Sequence, residues 1–348
     1  MRYQPKTPTE LKEIFLSENL PYFGICEAQK YPHLQAIYNT WLDKNQHGNM
    51  DYLERHAISK TTPDNLLTNC KSIIVVGLNY YQKTNPTKPT EGQIARYAWG
   101  KDYHKVLGKK LIRISKKLKQ LYPEATFIAR TDATPLMERQ YALKAGLGFI
   151  GKNTMLISPT YGSWLLIGEI ITDHIFPASD AATKKLGACG SCKRCQKACP
   201  TGALDQSYRI NAEKCIAYLT IEHRGVIPEN LRPKIGNRLF GCDICQEVCP
   251  HNIRAQATNE PQFLEAIAGS SQLLTTILNL KTEEEFRTKF QGSPLLRAKL
   301  TGLIRNACIV AANNNDKSCL KILKKLITDP DPIIAEHAKW AVEQMEKK

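Results

Sequence analysis

The chain has 348 residues, 42% of them hydrophobic, with a net charge of +15. That length suggests two or three modules, and no apolar run is long enough to span a bilayer, so no membrane partner is expected. The charge points instead to a polyanionic partner, nucleic acid before membrane. Lysines and arginines gather at 105–119, 181–197, 224–238 and 297–325.

Residues 8–20 read as a helix that Thr7 or Thr9 can cap, with Leu11, Ile14, Phe15 and Leu20 on one face. A second helix covers 33–44, and a Gly48-Asn49 turn opens a short one that presents Arg55 and His56. Residues 72–80 are a continuous β-branched run, the pattern of a strand buried on both faces. After a Pro/Thr/Gly-rich loop at 84–92, the stretch Arg96 to His104 holds two tyrosines, a tryptophan and a histidine, as a binding loop would. An amphipathic helix over 104–121 and a second buried strand over 125–130 follow.

Asp132 lies just beyond that strand, where ligand crevices open in α/β sheets. It is equally placed to cap a helix at 135–145. Gly146, Gly148 and Gly151 suit a backbone pressed against a flat ligand, without forming a nucleotide fingerprint. Residues 154–158 and 164–172 read as a hairpin around Pro159 to Gly162.

The most informative stretch is Cys189 to Pro250, which holds eight of the twelve cysteines. Cys189, Cys192, Cys195 and Cys199 followed by Pro200 give the C-x2-C-x2-C-x3-C-P run of iron–sulfur proteins, in which the fourth cysteine ligates the other cluster. Cys242, Cys245 and Cys249 with Pro250 form a second run, whose missing member is supplied by Cys215. The spacing therefore predicts one [4Fe–4S] cluster on Cys189, Cys192, Cys195 and Cys249, and another on Cys199, Cys215, Cys242 and Cys245. Zinc would call for separated C-x2-C pairs, and disulfides for an oxidising compartment. The segment MRYQPKTPTELKEIF lacks an apolar signal core, so reduced thiols and the cytoplasm are expected. From Ser293 the chain is helical, over 295–313, 318–328 and 333–346, with a turn at 329–332 like that of a HEAT repeat.

Taken together, six stretches are similar to the epoxyqueuosine reductases. They are Met50 to Arg55, Arg96 to His104, Asp132 to Arg139, Ala145 to Asn153, the cysteine runs with Cys215 to Gly225, and the Arg-rich helical tail. Phe149 and Thr134 stand where that family often has other residues. The resemblance implies a mixed fold, α+β or α/β. A nitroreductase-like cobalamin-binding domain would span 1–178, a bacterial ferredoxin-like two-cluster domain 179–260, and a HEAT-like helical tRNA-binding module 261–348.

It also implies cobalamin as a cofactor, tRNA carrying epoxyqueuosine as substrate, an external electron donor, a monomer, and Asp132 as proton donor. Packed against an apolar corrin, that carboxyl is expected to have a raised pKa. Arg55, Tyr97, Lys152, Asn153 and Tyr218 are candidates for cofactor contact. Thr220, His223, Arg224, Arg297 and Arg305 are candidates for tRNA contact. Asp102-Tyr103-His104 approaches the D-x-H-x-x-G motif of some cobalamin enzymes, but Gly108 stands one residue too far. Two rivals share the clusters. A reductive dehalogenase has no need of the +15 charge, and a two-cluster electron carrier would bind no cobalamin.

Overall fold

A computed structural model describes residues 9–84, 86–132, 135–179 and 187–347. The candidate cap Thr7, the family departure at Thr134 and part of the basic stretch 181–197 lie outside them. The main sheet has four strands: β1 (Phe23–Glu27), β2 (Ser72–Asn79), β4 (Phe127–Arg130) and β7 (Leu165–Thr172), in the order β1-β2-β7-β4. Every pairing in it is antiparallel. The fold is thus α+β, and the α/β alternative is corrected. Only one parallel pair occurs among the described strands, β3 (Glu91–Ile94) with β8 (Arg238–Phe240).

The unbroken apolar run of β2 is explained by two covered faces. Ile74 and Val76 pack with Leu11 and Phe15 of helix Thr9–Ser17 and with Leu111 and Ile114 of helix Tyr103–Leu121. Ile73 and Val75 face the other way, against Tyr141 and Ala142 of helix Glu138–Lys144. β4 is an edge strand and only partly buried, not the second buried strand expected.

The hairpin expected at 154–172 is replaced by a different pairing. β6 (Leu156–Ile157) pairs back with β5 (Phe149–Ile150), and only a Ser158–Gly162 bridge closes the turn. β7 then leaves to satisfy its backbone between β2 and β4. Gly148 and Gly151 serve this packing rather than a ligand. A Cβ on Gly148 would lie 2.3 Å from the Ile157 carbonyl oxygen, and one on Gly151 would lie 2.5 Å from the Ile157 side chain.

The C-terminal helices do not stand apart. Helices Lys299–Asn314 and Pro332–Glu346 share one core with Ile94, Trp99, Leu219, Leu239 and Phe240. β3 also pairs with β9 (Ser271–Leu273), so residues from all three parts of the chain meet in one small sheet. Too few helices for an independent solenoid thereby acquire a core. Among the described residues no helix is long and apolar enough to cross a membrane.

Candidate active site and cluster-binding region

The eight cysteines act on one another in two adjoining sets. Burial raises the Cys249 thiol first, and the neighbouring Cys189, Cys195 and Cys192 raise it further. In the second group Cys245 responds, after burial, to Cys242 and Cys215, and Cys215 to Cys199. Cys195 also acts on Cys245, so the groups adjoin. All eight thiols are free. Among the described residues no three His, Cys, Asp or Glu side chains converge on a single metal ion. A cubane holds its four thiolates further apart than an ion does, and two sets of four reduced thiols fit it.

Lys152 and Asn153 serve these loops directly. The Lys152 amide donates to Cys189 Sγ at 3.4 Å, and its ammonium donates to the carbonyls of Gly190 at 2.6 Å and Cys192 at 3.0 Å. The Asn153 amide donates to the Cys245 carbonyl at 3.4 Å. Adjacent residues thus tie both runs to the β5–β6 hairpin.

The binding loop has a second job, which sequence reasoning missed. The Arg96 guanidinium is buried and donates to Asp243 Oδ2 at 3.0 Å and Glu247 Oε1 at 2.9 Å, while its amide donates to Asp243 Oδ2 at 2.9 Å. Arg96 therefore fixes the turn between Cys242 and Cys245, and its only sequence signal is its place at the head of an aromatic run.

Asp132 has φ of +55° and a side chain 54% exposed. It does not cap the following helix, whose N-cap is Met137. Instead Asp132 Oδ2 accepts from the Tyr103 hydroxyl at 2.5 Å and faces His104 Nε2 at 3.1 Å. His104 Nδ1 faces Asp102 Oδ1 at 2.8 Å, and Asp102 is the N-cap of helix Tyr103–Leu121. A local cap thus aims two side chains at an acid 28 and 29 residues away.

Burial works against charge on both partners. It pushes the Asp132 carboxyl up, but the hydrogen bonds of His104 and Tyr103 outweigh it and leave the group below its ordinary value. Burial pushes His104 down, and Asp102 and Asp132 outweigh that and raise it to about 9. The raised Asp132 pKa expected from the resemblance is therefore corrected, because the pair carries its proton on the imidazole side.

Burial raises the Tyr97 and Tyr52 hydroxyls and the Asp132 charge raises both further, while Arg297 lies within charge range of Tyr52 and Asp132. Tyr97 packs edge-on to Tyr103, with ring centroids 6.0 Å apart, and beside Phe240. Exposed Arg55 ends the short helix that carries Tyr52.

Other candidates sit behind this surface. Tyr218 is buried, and its hydroxyl accepts from the Asn49 amide at 2.8 Å, so it supports the Gly48-Asn49 turn rather than a cofactor. Thr220 and Arg305 are buried too, which corrects their assignment to tRNA. Thr220 Oγ1 donates to the Ile216 carbonyl and accepts from the Gly241 amide. Arg305 donates to the carbonyls of Leu219, His223 and Gly225. Arg224 and Arg297 are exposed. Arg297 forks onto Glu222 at 2.8–3.1 Å, and Arg224 donates to the Arg297 carbonyl at 2.8 Å. His223 is half-buried, with Nε2 facing the Val226 carbonyl at 3.0 Å.

Residues 188–252 match the family described as a 4Fe–4S double cluster binding domain, which makes this chain an iron–sulfur protein. Residues 60–133 match the family described as epoxyqueuosine reductase QueG, DUF1730. The epoxyqueuosine reductase of Francisella cf. novicida is 36% identical over 329 residues, covering 91% of this chain and 90% of its own. That of Escherichia coli is 34% identical over 344 residues, covering 96% and 88%. The chain belongs to the epoxyqueuosine reductase family.

Among solved structures, an epoxyqueuosine reductase with an epoxyqueuosine-modified tRNA-Tyr stem loop matches with a TM-score of 0.88 and 32% identity, covering 97% of this chain and 89% of that one. The Bacillus subtilis epoxyqueuosine reductase, with its catalytic aspartate loop swung out of the active site, matches with a TM-score of 0.87 and 33% identity, covering the same shares.

Proposed function

We propose that this chain reduces epoxyqueuosine to queuosine in tRNA, drawing electrons from an external donor through two [4Fe–4S] clusters to cobalamin. The observation that carries the reading is the continuity from thiols to acid. Asp243, between Cys242 and Cys245, holds Arg96; the next residue, Tyr97, packs edge-on to Tyr103, whose hydroxyl donates to Asp132. The tRNA-bound relative supports the substrate. The clusters are assigned to Cys189, Cys192, Cys195 and Cys249, and to Cys199, Cys215, Cys242 and Cys245.

Tyr97 and Arg55 would hold cobalamin. When bound, it supplies the electron pair that no side chain can. Removing the epoxide oxygen as water consumes two electrons and two protons, and a poor oxygen leaving group needs a positioned acid. Asp132 is that acid: the proton held on His104 passes through the Asp132 carboxylate that its Nε2 faces at 3.1 Å, and Tyr103 orients that carboxylate. Arg224, Arg297 and the basic helical region are placed to meet tRNA phosphates, and the modified base must be splayed out to reach Asp132.

The parts 1–178, 179–260 and 261–348 then divide the work into cofactor binding, electron relay and tRNA binding, on nitroreductase-like, ferredoxin-like and HEAT-like scaffolds. The protein acts in the cytoplasm as a monomer. Asp132→Asn tests the reading. It should keep both clusters, cobalamin and tRNA affinity while turnover falls about a hundredfold or more. Unchanged turnover removes Asp132 from the chemistry.

A further inference from the structure

The first set of thiols opens onto a basic surface that the chemistry above does not use. Cys189, Cys192, Cys195 and Cys249 line one recess. Beside it, sharing Cys189, Cys192, Arg194 and Pro250 with it, lies an open hollow of about 570 Å³. Lys193, Arg194 and Lys197 also line the hollow; all three are exposed, and none makes an ion pair among the described residues. From residue 181 to residue 204 the sequence holds five lysines and arginines and no aspartate or glutamate. The backbone keeps the hollow open, since Gly190 has φ of +51° and a Cβ there would meet nothing within 4 Å. Lys152 pins the same loop, its ammonium donating to the carbonyls of Gly190 and Cys192. The three cations therefore stand on a fixed loop at the edge of the thiols.

The second set turns inward. Cys215 and Cys242 pack against the large core that the C-terminal helices share. Asp243, next to Cys242, holds the buried Arg96, and the contacts run on through Tyr97 and Tyr103 to Asp132. The two sets are ordered from the surface inward, and the first is the one that an outside molecule can approach.

We infer that the hollow is the docking site of the electron donor, and that the donor is a small protein carrier with an acidic face around its own redox centre. The inference rests on the proposed reduction, which needs an outside source of electrons. Electron transfer weakens steeply with distance, so the donor's centre must come against the first set of thiols and not onto any basic patch. A carrier must also leave after each transfer. Encounters of that kind bury less than about 1,200 Å² and are steered by charge complementarity. Three cations without acidic partners, beside the thiols, meet that demand. Each encounter oxidises the carrier by one electron and reduces the first cluster by one. Two encounters supply the pair that, with two protons, turns the epoxide into an alkene and water. A tRNA phosphate on the same cations would cover the surface through which those electrons enter.

The test uses cluster-loaded protein, a plant-type [2Fe–2S] ferredoxin as the acidic probe, and the double variant Lys193→Glu/Lys197→Glu. Lys109→Glu/Lys116→Glu, an equal change of charge at exposed positions of helix Tyr103–Leu121, is the control. Calorimetric titration with both proteins oxidised should show binding to the parent that weakens as salt rises. The Lys193/Lys197 variant should bind about tenfold more weakly at low salt, while the control keeps the parent's affinity and both variants keep their iron and their affinity for tRNA. A second measurement needs no variant: carbodiimide coupling of the parent complex should join ferredoxin carboxylates to Lys193 or Lys197. A parent protein that does not bind the ferredoxin, a variant that binds it as the parent does, or coupling confined to other lysines overturns the inference. Loss of tRNA affinity in the Lys193/Lys197 variant overturns it too, and makes the hollow a phosphate site. A protein that takes electrons from the ferredoxin through these lysines yet leaves the epoxide intact overturns the functional reading and leaves the docking site standing.

Discussion

Replacing Arg305 separates a structural arginine from a phosphate contact. Its side chain is 1% exposed and donates to the carbonyls of Leu219 at 2.6 Å, His223 at 2.8 Å and Gly225 at 2.9 Å. Arg305→Met keeps much of the volume and leaves three carbonyls without a donor. Hydrogen bonds from a charged donor are worth about 1.5–3 kcal/mol each. Against that, burial pushes the arginine's pKa down to about 10, so removing the charge returns about 3 kcal/mol. The lost bonds outweigh the relief, and the net cost should be about 1.5–6 kcal/mol, read as a lower urea midpoint. Arg305→Lys should be destabilised as well, because one ammonium cannot reproduce the fork. tRNA affinity measured against salt completes the assay. An unchanged midpoint, with the slope of log affinity against log salt falling by about one, would refute the buried-clamp account and restore a phosphate contact.

Cys215→Ala should cost the protein one cluster, lowering iron from about eight to about four atoms per chain; full iron content would mean that Cys215 is not a ligand. The raised His104 pKa makes a pH prediction. Its contribution to stability is fully present below about 6.5 and lost as pH rises through about 9. His104→Gln should lose less stability than the parent protein between those values, and parallel curves would contradict the pairing with Asp132. Gly48→Ala places a Cβ 2.5 Å from the Tyr218 hydroxyl at a φ of +59°. It should cost about 1–3 kcal/mol in thermal unfolding, and a neutral effect would mean that the turn is free to move.

The double-cluster segment was legible because cluster chemistry fixes ligand number and spacing. The helix from Tyr103 was legible from its apolar period, and that from Pro332 from the turn at 329–332. The small sheet was not, since β3, β8 and β9 are three or four residues long and pair across separations no local pattern reveals. Charge misled at Arg305, because a basic residue on a helix reads the same whether it meets phosphate or backbone carbonyls. Asp132 was found by position, yet its titration is set by Tyr103 and His104, partners that only the fold delivers.

The central claim is most directly tested by mass. Protein with both clusters reconstituted anaerobically, a strong reductant and tRNA carrying epoxyqueuosine would be incubated with and without cobalamin, and the nucleosides weighed after digestion. The account predicts loss of one oxygen only when cobalamin is present. An intact epoxide, despite loaded clusters and bound cobalamin, would contradict it.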